Sequence, residues 1–307
     1  MIEPSPQLFE QSFTKFRKAI ARKEFLVTAE VSPPKGSNPT HMLEQTRSLQ
    51  GRVHAVNITD SSRAVMSMSP VAASVLIQQQ IGLETICQIA CRDRNRIALQ
   101  GDLFGAAALG ITNILALTGD PVKAGDSTDA RAVFEYESVR LLQLIKKLNL
   151  GLDANNKALP NQGTDLFAGA AIDPQSPSWS GLQKRFERKI DAGAQFFQSQ
   201  LITDFDRLDK FVNQISNQSD KPILAGIFLI KSAKNALFLN KYVPGVRIPD
   251  HIIDRLATAK SPLQEGIAIA AEQIQTARQI CQGVHIMAIK AEHLIPEILD
   301  RANVAVI

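Results

Sequence analysis

Eight short apolar runs rich in β-branched residues recur along the chain, each followed by turn-forming residues and then by a segment of helical period. They are Phe25–Val31, Val53–Thr59, Glu84–Ala90, Asn113–Leu117, Leu166–Ala171, Gln195–Gln200, Pro222–Phe228 and Val284–Ile289. Strand, helix and strand in repetition is the pattern of a parallel sheet whose connections are helices. The runs do not alternate cleanly between apolar and polar, which suits strands covered on both faces. Eight such units close as a (β/α)8 TIM barrel. An open doubly wound sheet is the competing architecture, but the chain has no Gly-x-Gly, so the first-turn fingerprint of a dinucleotide-binding sheet is missing.

The 307 residues fit one large barrel or two smaller domains, and no shift of composition marks a linker. We therefore expect residues 25–307 to form a single barrel and residues 1–24 a helical extension packed on it. Phe9, Phe13, Phe16 and Ile20 fall at helical spacing and should plug the bottom of the barrel. Leu141, Leu142, Leu144, Ile145 and Leu148 form another apolar stripe. Ser261-Pro262-Leu263-Gln264 reads as a capping box with Pro at the first helical position, and Gly283 as that helix's stop. The polar stretches Gly119–Ala132, Gly151–Asp165 and Ile172–Ser180 read as loops.

Charge and composition narrow the function classes. Lys plus Arg number 34 against 30 Asp plus Glu, a net +4, and one Trp and two Tyr offer few stacking platforms, which argues against nucleic acid. No apolar stretch approaches the roughly 18 residues of a membrane span, and Met1–Ser12 lacks a charged region followed by an apolar one, so a cytoplasmic protein is expected. Three cysteines make no disulfide framework and, with five histidines at no metal-ligand spacing, no metal site; they read as core thiols.

In a (β/α)8 barrel the reactive groups sit at the carboxyl ends of the strands. Glu30 lies inside an otherwise apolar run, and burial favours the neutral form of a carboxyl group, which suits a general acid; pairing with a barrel cation is the competing explanation. Asp120 sits between Gly119, which permits close approach of a ligand, and Pro121, which fixes the turn. Gln200 is an amide at the mouth, able to donate and accept toward a heteroaromatic ring. Arg92, Arg94 and Arg96, where the third strand meets its helix, form either a phosphate clamp or solvated ion pairs.

These strand ends resemble a known family. Thr28-Ala29-Glu30-Val31-Ser32-Pro33-Pro34-Lys35, Val56-Asn57-Ile58-Thr59-Asp60, Leu115-Ala116-Leu117-Thr118-Gly119-Asp120-Pro121 and Lys189-Ile190-Asp191-Ala192-Gly193-Ala194, with Gln200-Leu201-Ile202-Thr203-Asp204, are similar in order and spacing to the methylenetetrahydrofolate reductase family. The resemblance implies a flavin-containing barrel that uses NAD(P)H to reduce 5,10-methylenetetrahydrofolate to 5-methyltetrahydrofolate, in one-carbon metabolism and methionine supply. It places Glu30 as general acid, Asp120 as a carboxylate touching folate and flavin, and Gln200 as a folate-binding amide. Thr59, Gln88, Gly119 and Asp120 fall at flavin-contacting positions, and Arg188 and Lys189 near the flavin's phosphate end. FAD is the cofactor first implied, with FMN or no flavin as alternatives. Gln88 stands where bacterial members often carry His, Thr118 where Arg often precedes Gly-Asp, and Ile172-Asp173-Pro174-Gln175-Ser176 replaces Tyr-Pro-Glu-x-His. Phe238 is the nearest candidate for stacking on nicotinamide. A homo-oligomer is expected, and a partner protein that delivers electrons is an alternative donor. Two competing functions stand beside this one: a flavin-free or partner-dependent folate-binding barrel, and a Schiff-base lyase using Lys231 or Lys290.

Overall fold

A computed structural model describes residues 14–243 and 245–305. Eight strands pair in parallel and in chain order, and the eighth returns to the first to close the barrel. They are β1 (Leu26–Val31), β2 (Ala55–Ile58), β3 (Thr85–Ala90), β4 (Asn113–Leu117), β5 (Phe167–Ile172), β6 (Phe196–Leu201), β7 (Ile223–Phe228) and β8 (Gly283–Met287). Each of the eight expected runs coincides with a strand, and the ends agree to within two residues. The absence of clean alternation has a direct cause. Val27, Ala29 and Val31 of β1 pack outward on the helices, while Leu26 belongs to a separate cluster inside the barrel.

That inner cluster also holds Ala55, Ile86, Leu115, Phe196 and Leu224. The first helix, α1 (Lys15–Ala21), closes it from below: Phe16 is fully buried and meets the Phe196 ring edge to face at 5.1 Å. The plug read from the sequence is thus present for Phe16 and Ile20, whereas Phe9 and Phe13 lie outside the described residues. Its anchor is polar. Glu84 accepts from Phe16 N at 3.0 Å and from Asn113 Nδ2 at 2.7 Å, and burial pushes its carboxyl above the ordinary range.

Two local expectations are corrected. Ser261 and Pro262 do start the helix Pro262–Ile280, but the Ser261 side chain makes no capping hydrogen bond, so the capping box is not formed. Gly283 does not stop that helix, which ends at Cys281; it is the first residue of β8. A Cβ on Gly283 would lie 2.5 Å from Leu26 O, so the residue serves close packing between strands. The three cysteines are buried and free, and burial pushes Cys87 and Cys91 up to about 12 and Cys281 to about 11. No helix among the described residues is long and apolar enough to cross a membrane.

Replacing Glu84 by Ala strands the Phe16 amide and one of the two Asn113 side-chain N–H groups inside the core, the other being held by Thr85 O. We expect a loss of about 2–4 kcal/mol in urea denaturation, and a change below about 0.5 kcal/mol would show that Glu84 does not anchor α1.

Candidate active site

A cavity of about 430 Å³ opens at the carboxyl ends of the strands, within the size range of small-molecule sites. Glu30 from β1, Gln88 from β3, Gly119 and Asp120 after β4, Lys189 and Gln200 all line it. Two of the sequence-derived positions do not. Thr59 is buried and outside the lining, and Arg188 projects to solvent beside Glu137. The helix Trp179–Asp191 explains the second case, because neighbouring helical residues point about 100° apart and only Lys189 of the pair can face the barrel.

Each lining group is held by its element. The inward face of β1 carries Glu30, whose side chain is 16% exposed. Asp120 stands on the rim and accepts from the backbone N–H of Arg63, in the loop after β2, at 2.8 Å. Gly119 has φ +93°, and a Cβ there would lie 2.9 Å from Arg92 Cβ, so only glycine lets the end of β4 pass Arg92. Gln200 is presented by a bulge: the register of β6 against β7 shifts between Gln198 and Leu201, and Ser199 Oγ accepts from Gly226 N. Nothing in the sequence pattern marked that bulge. Among the described residues, the side-chain amides of Gln88 and Gln200 make no hydrogen bond to the protein, which leaves both free toward the cavity.

The arginine cluster proves to be ion pairs. Arg92 is paired with Asp93 (2.6 Å), Arg94 with Asp60 and Asp102 (both 2.6 Å), and Arg96 with Glu135 (3.0 Å). Asp60 also accepts from Ala90 N, stitching the end of β2 to β3. The carboxylates around Arg94 hold its guanidinium firmly protonated. Lys189 differs, since its Nζ reaches only the carbonyl of Ala171 (2.6 Å) and burial pushes its ammonium down to about 8. The lysines proposed for Schiff-base chemistry lie elsewhere. Lys231 donates to Ile289 O, Lys290 is exposed with φ +57°, and neither lines the cavity. A desolvated amine facing the cavity is what that chemistry needs, and neither the half-buried Lys231 nor the exposed Lys290 supplies one.

A residue that sequence reasoning passed over is His285 of β8. It lines the cavity, with Nε2 at 3.8 Å from Glu30 Oε2. A lone histidine in a strand carries no spacing signal, and only the register Thr28↔His285 places it beside β1. No group of three or more potential metal-ligating side chains occurs among the described residues.

A closed parallel barrel with acids, amides and one desolvated amine converging at the carboxyl ends of its strands is the architecture of a (β/α)8 enzyme. The sequence model of one family, methylenetetrahydrofolate reductase, matches residues 15–303. The chain belongs to that family. It is 26% identical over 267 residues to a probable methylenetetrahydrofolate reductase (NADPH) of Caenorhabditis elegans, covering 83% of this chain and 38% of that protein. To methylenetetrahydrofolate reductase (NADH) 1 of Zea mays it is 25% identical over 244 residues, covering 75% and 38%. The chain thus spans about two fifths of the curated relatives it matches. A similar fold occurs in an uncharacterized protein from Clostridium thermocellum that binds two copies of 5-methyl-5,6,7,8-tetrahydrofolic acid. The TM-score is 0.67 at 13% identity, covering 94% of this chain and all of the other.

The bulge that presents Gln200 depends on Gly226, because a Cβ there would lie 2.5 Å from Gln200 O. Gly226→Ala is expected to cost about 1–3 kcal/mol in urea denaturation, as overpacked sites do. Wild-type stability would show that the bulge relaxes without strain.

Proposed function

We propose that this chain reduces 5,10-methylenetetrahydrofolate to 5-methyltetrahydrofolate, with a bound flavin and NAD(P)H as electron source. The observation that carries the reading is the convergence of Glu30, Asp120 and two unpartnered amides, Gln88 and Gln200, on one cavity. A pterin and the pyrimidine edge of a flavin both present alternating donors and acceptors, which is what free amides recognise. The lining also supplies apolar surface from Ala90, Leu115, Leu117 and Ala171, and a cation from Lys189. That donor set fits a flavin: Leu117 and Ala171 would hold its ring, Gln88 its polar edge, and Lys189 a phosphate. A bound flavin would supply the hydride, chemistry that belongs to the cofactor.

The protein's part is proton handling and orientation. The methylene bridge becomes reactive when N10 is protonated and the five-membered ring opens to an iminium at N5. Glu30, on the inward face of β1 with a side chain 16% exposed, would give that proton from a site shielded from bulk water. Asp120, steadied by the Arg63 amide, would stabilise the positive charge that develops on the pterin. Gln200 orients the ring. FAD is the flavin the family resemblance implies, and the nicotinamide follows the relatives, which are named for NADPH in one case and NADH in another.

A flavin-free folate-binding barrel is the second reading, favoured by one observation: all three arginines of the Arg92–Arg96 cluster are committed to carboxylates. The absorbance spectrum of the purified protein, with the cofactor identified by mass, decides between them. A flavin spectrum is expected; no flavin and no flavin uptake would leave the second reading. Oxidation of methyltetrahydrofolate coupled to menadione should fall about 10²–10⁴-fold in Glu30→Gln, and unchanged turnover would remove Glu30 from the acid role.

Lys189 makes a separate expectation. Its ammonium is charged below pH 8 and loses its proton as the pH rises through about 8. Affinity for a phosphate-bearing flavin, followed by fluorescence quenching, should therefore fall by about tenfold between pH 7 and 9. Lys189→Met should bind weakly with a flat profile, and a pH-independent wild type would separate Lys189 from the phosphate.

A further inference from the structure

Beneath Glu30 the barrel interior holds a chain of buried polar side chains that the reaction scheme does not use. Asn57 and Gln198 exchange two hydrogen bonds across the barrel, Asn57 Nδ2 donating at 2.6 Å and Gln198 Nε2 at 3.0 Å. Gln198 Nε2 also donates to Thr28 Oγ1 at 3.1 Å. Both protons of the Gln198 amide are then spent, and the Thr28 hydroxyl still has its own proton to give. His285 Nδ1 lies 3.0 Å from Oγ1, and the alternative acceptor, Val284 O, lies 3.5 Å away. The nearer acceptor takes the proton. With Nδ1 accepting, a neutral imidazole carries its hydrogen on Nε2, the nitrogen that faces Glu30 Oε2 at 3.8 Å. Thr28, Asn57, Gln198 and His285 are all buried, so these bonds are satisfied within the protein.

We propose that His285 is a positioning residue for Glu30: the Thr28–Gln198–Asn57 chain locks it as the Nε2–H tautomer, and that N–H holds Glu30 Oε2, leaving Oε1 to carry the proton to the substrate. This rests on the reading of Glu30 as proton donor. At 3.8 Å the pair is longer than a hydrogen bond and too close for an intervening water. The contact closes by a small rotation of the carboxyl group when the cavity fills, as catalytic hydrogen bonds tighten in the complex. In the step itself the Oε1–H bond breaks, the N10–H bond forms, and Glu30 becomes a carboxylate whose Oε2 already accepts from His285. Asn57 and Gln198 have no titratable proton, so the chain orients the histidine and conducts nothing.

Long-range ¹⁵N–¹H spectra of the full chain labelled at histidine read the tautomer directly. His285, assigned by the signal lost in His285→Gln, should show Nε2–H. Thr28→Val should release it to both tautomers, and Glu30→Gln should shift its Nε2 resonance. An Nδ1–H tautomer in the wild type, or signals indifferent to both substitutions, would overturn the proposal. Kinetics supply the second arm. His285→Gln sets an amide N–H near the place of Nε2 and should stay within about tenfold of wild-type kcat, whereas His285→Asn, too short to reach Glu30, should lose about 100-fold in kcat with KM within about threefold. Equal losses in Gln and Asn would reduce His285 to a packing role. Should the wild type turn over no folate, the functional reading has failed, and the tautomer measurement still decides whether the lock exists.

Discussion

The interior of an eight-stranded parallel barrel is just wide enough for side chains, so a polar group placed there must find its partner within the barrel. This chain meets that demand in layers. The lowest is apolar, with Leu26, Ile86, Phe196 and Leu224 closed from below by Phe16. Space for the large ring is made opposite: a Cβ on Gly169 would lie 2.3 Å from the Phe196 ring. Above this layer Thr28, Asn57, Gln198 and His285 bond to one another, and only above them do Glu30 and the free amides meet the cavity. The polar layer would be costly if any member lacked a partner. Linked to one another by hydrogen bonds, these side chains give the cavity a rigid floor.

The rim is fixed by a different device. The loop after β2 carries Ser61, Arg63 and Ala64 at φ +46°, +56° and +57°, conformations that cost non-glycine residues energy and persist only where the surroundings enforce them. The enforcement comes from the loop after β4. Asp120 accepts from Arg63 N, and Asp126 accepts from Met66 N and pairs with Lys35 at 2.8 Å. Gly125 lies so close that a Cβ would come within 1.8 Å of Ala64 O. Loops after three strands thus hold one another, and the Asp120 carboxylate takes its place as part of that contact.

What was legible in the sequence follows from which forces are local. Strands buried on both faces must be apolar throughout, so all eight show, and polar residues that interrupt such runs at their carboxyl ends, Glu30 and Gln88 among them, stand out for the same reason. The bulge at Ser199 and Gln200 was invisible because its cause, Gly226, lies on another strand. His285 was invisible for a like reason, since its partners come from β1 and, through Thr28, from β6. Ser261 shows the converse: a local cap signal was present, yet its side chain makes no cap bond.

Charged residues divide along the same line. A sequence shows how many cations a segment carries but not how many are already neutralised. Arg92, Arg94 and Arg96 look like an anion site because they are clustered, yet their carboxylates come from Asp93 next in the chain and from Asp60, Asp102 and Glu135 further off. Lys189 looks ordinary beside Arg188, yet the helix turns it alone toward the barrel, where it meets a carbonyl instead of a carboxylate. An ion pair inside a protein spends its charge on its partner, whereas a desolvated cation without one gains from any anion that reaches it. Of Arg92, Arg94, Arg96 and Lys189, it is therefore the half-buried lysine that reaches the cavity without a carboxylate bonded to it.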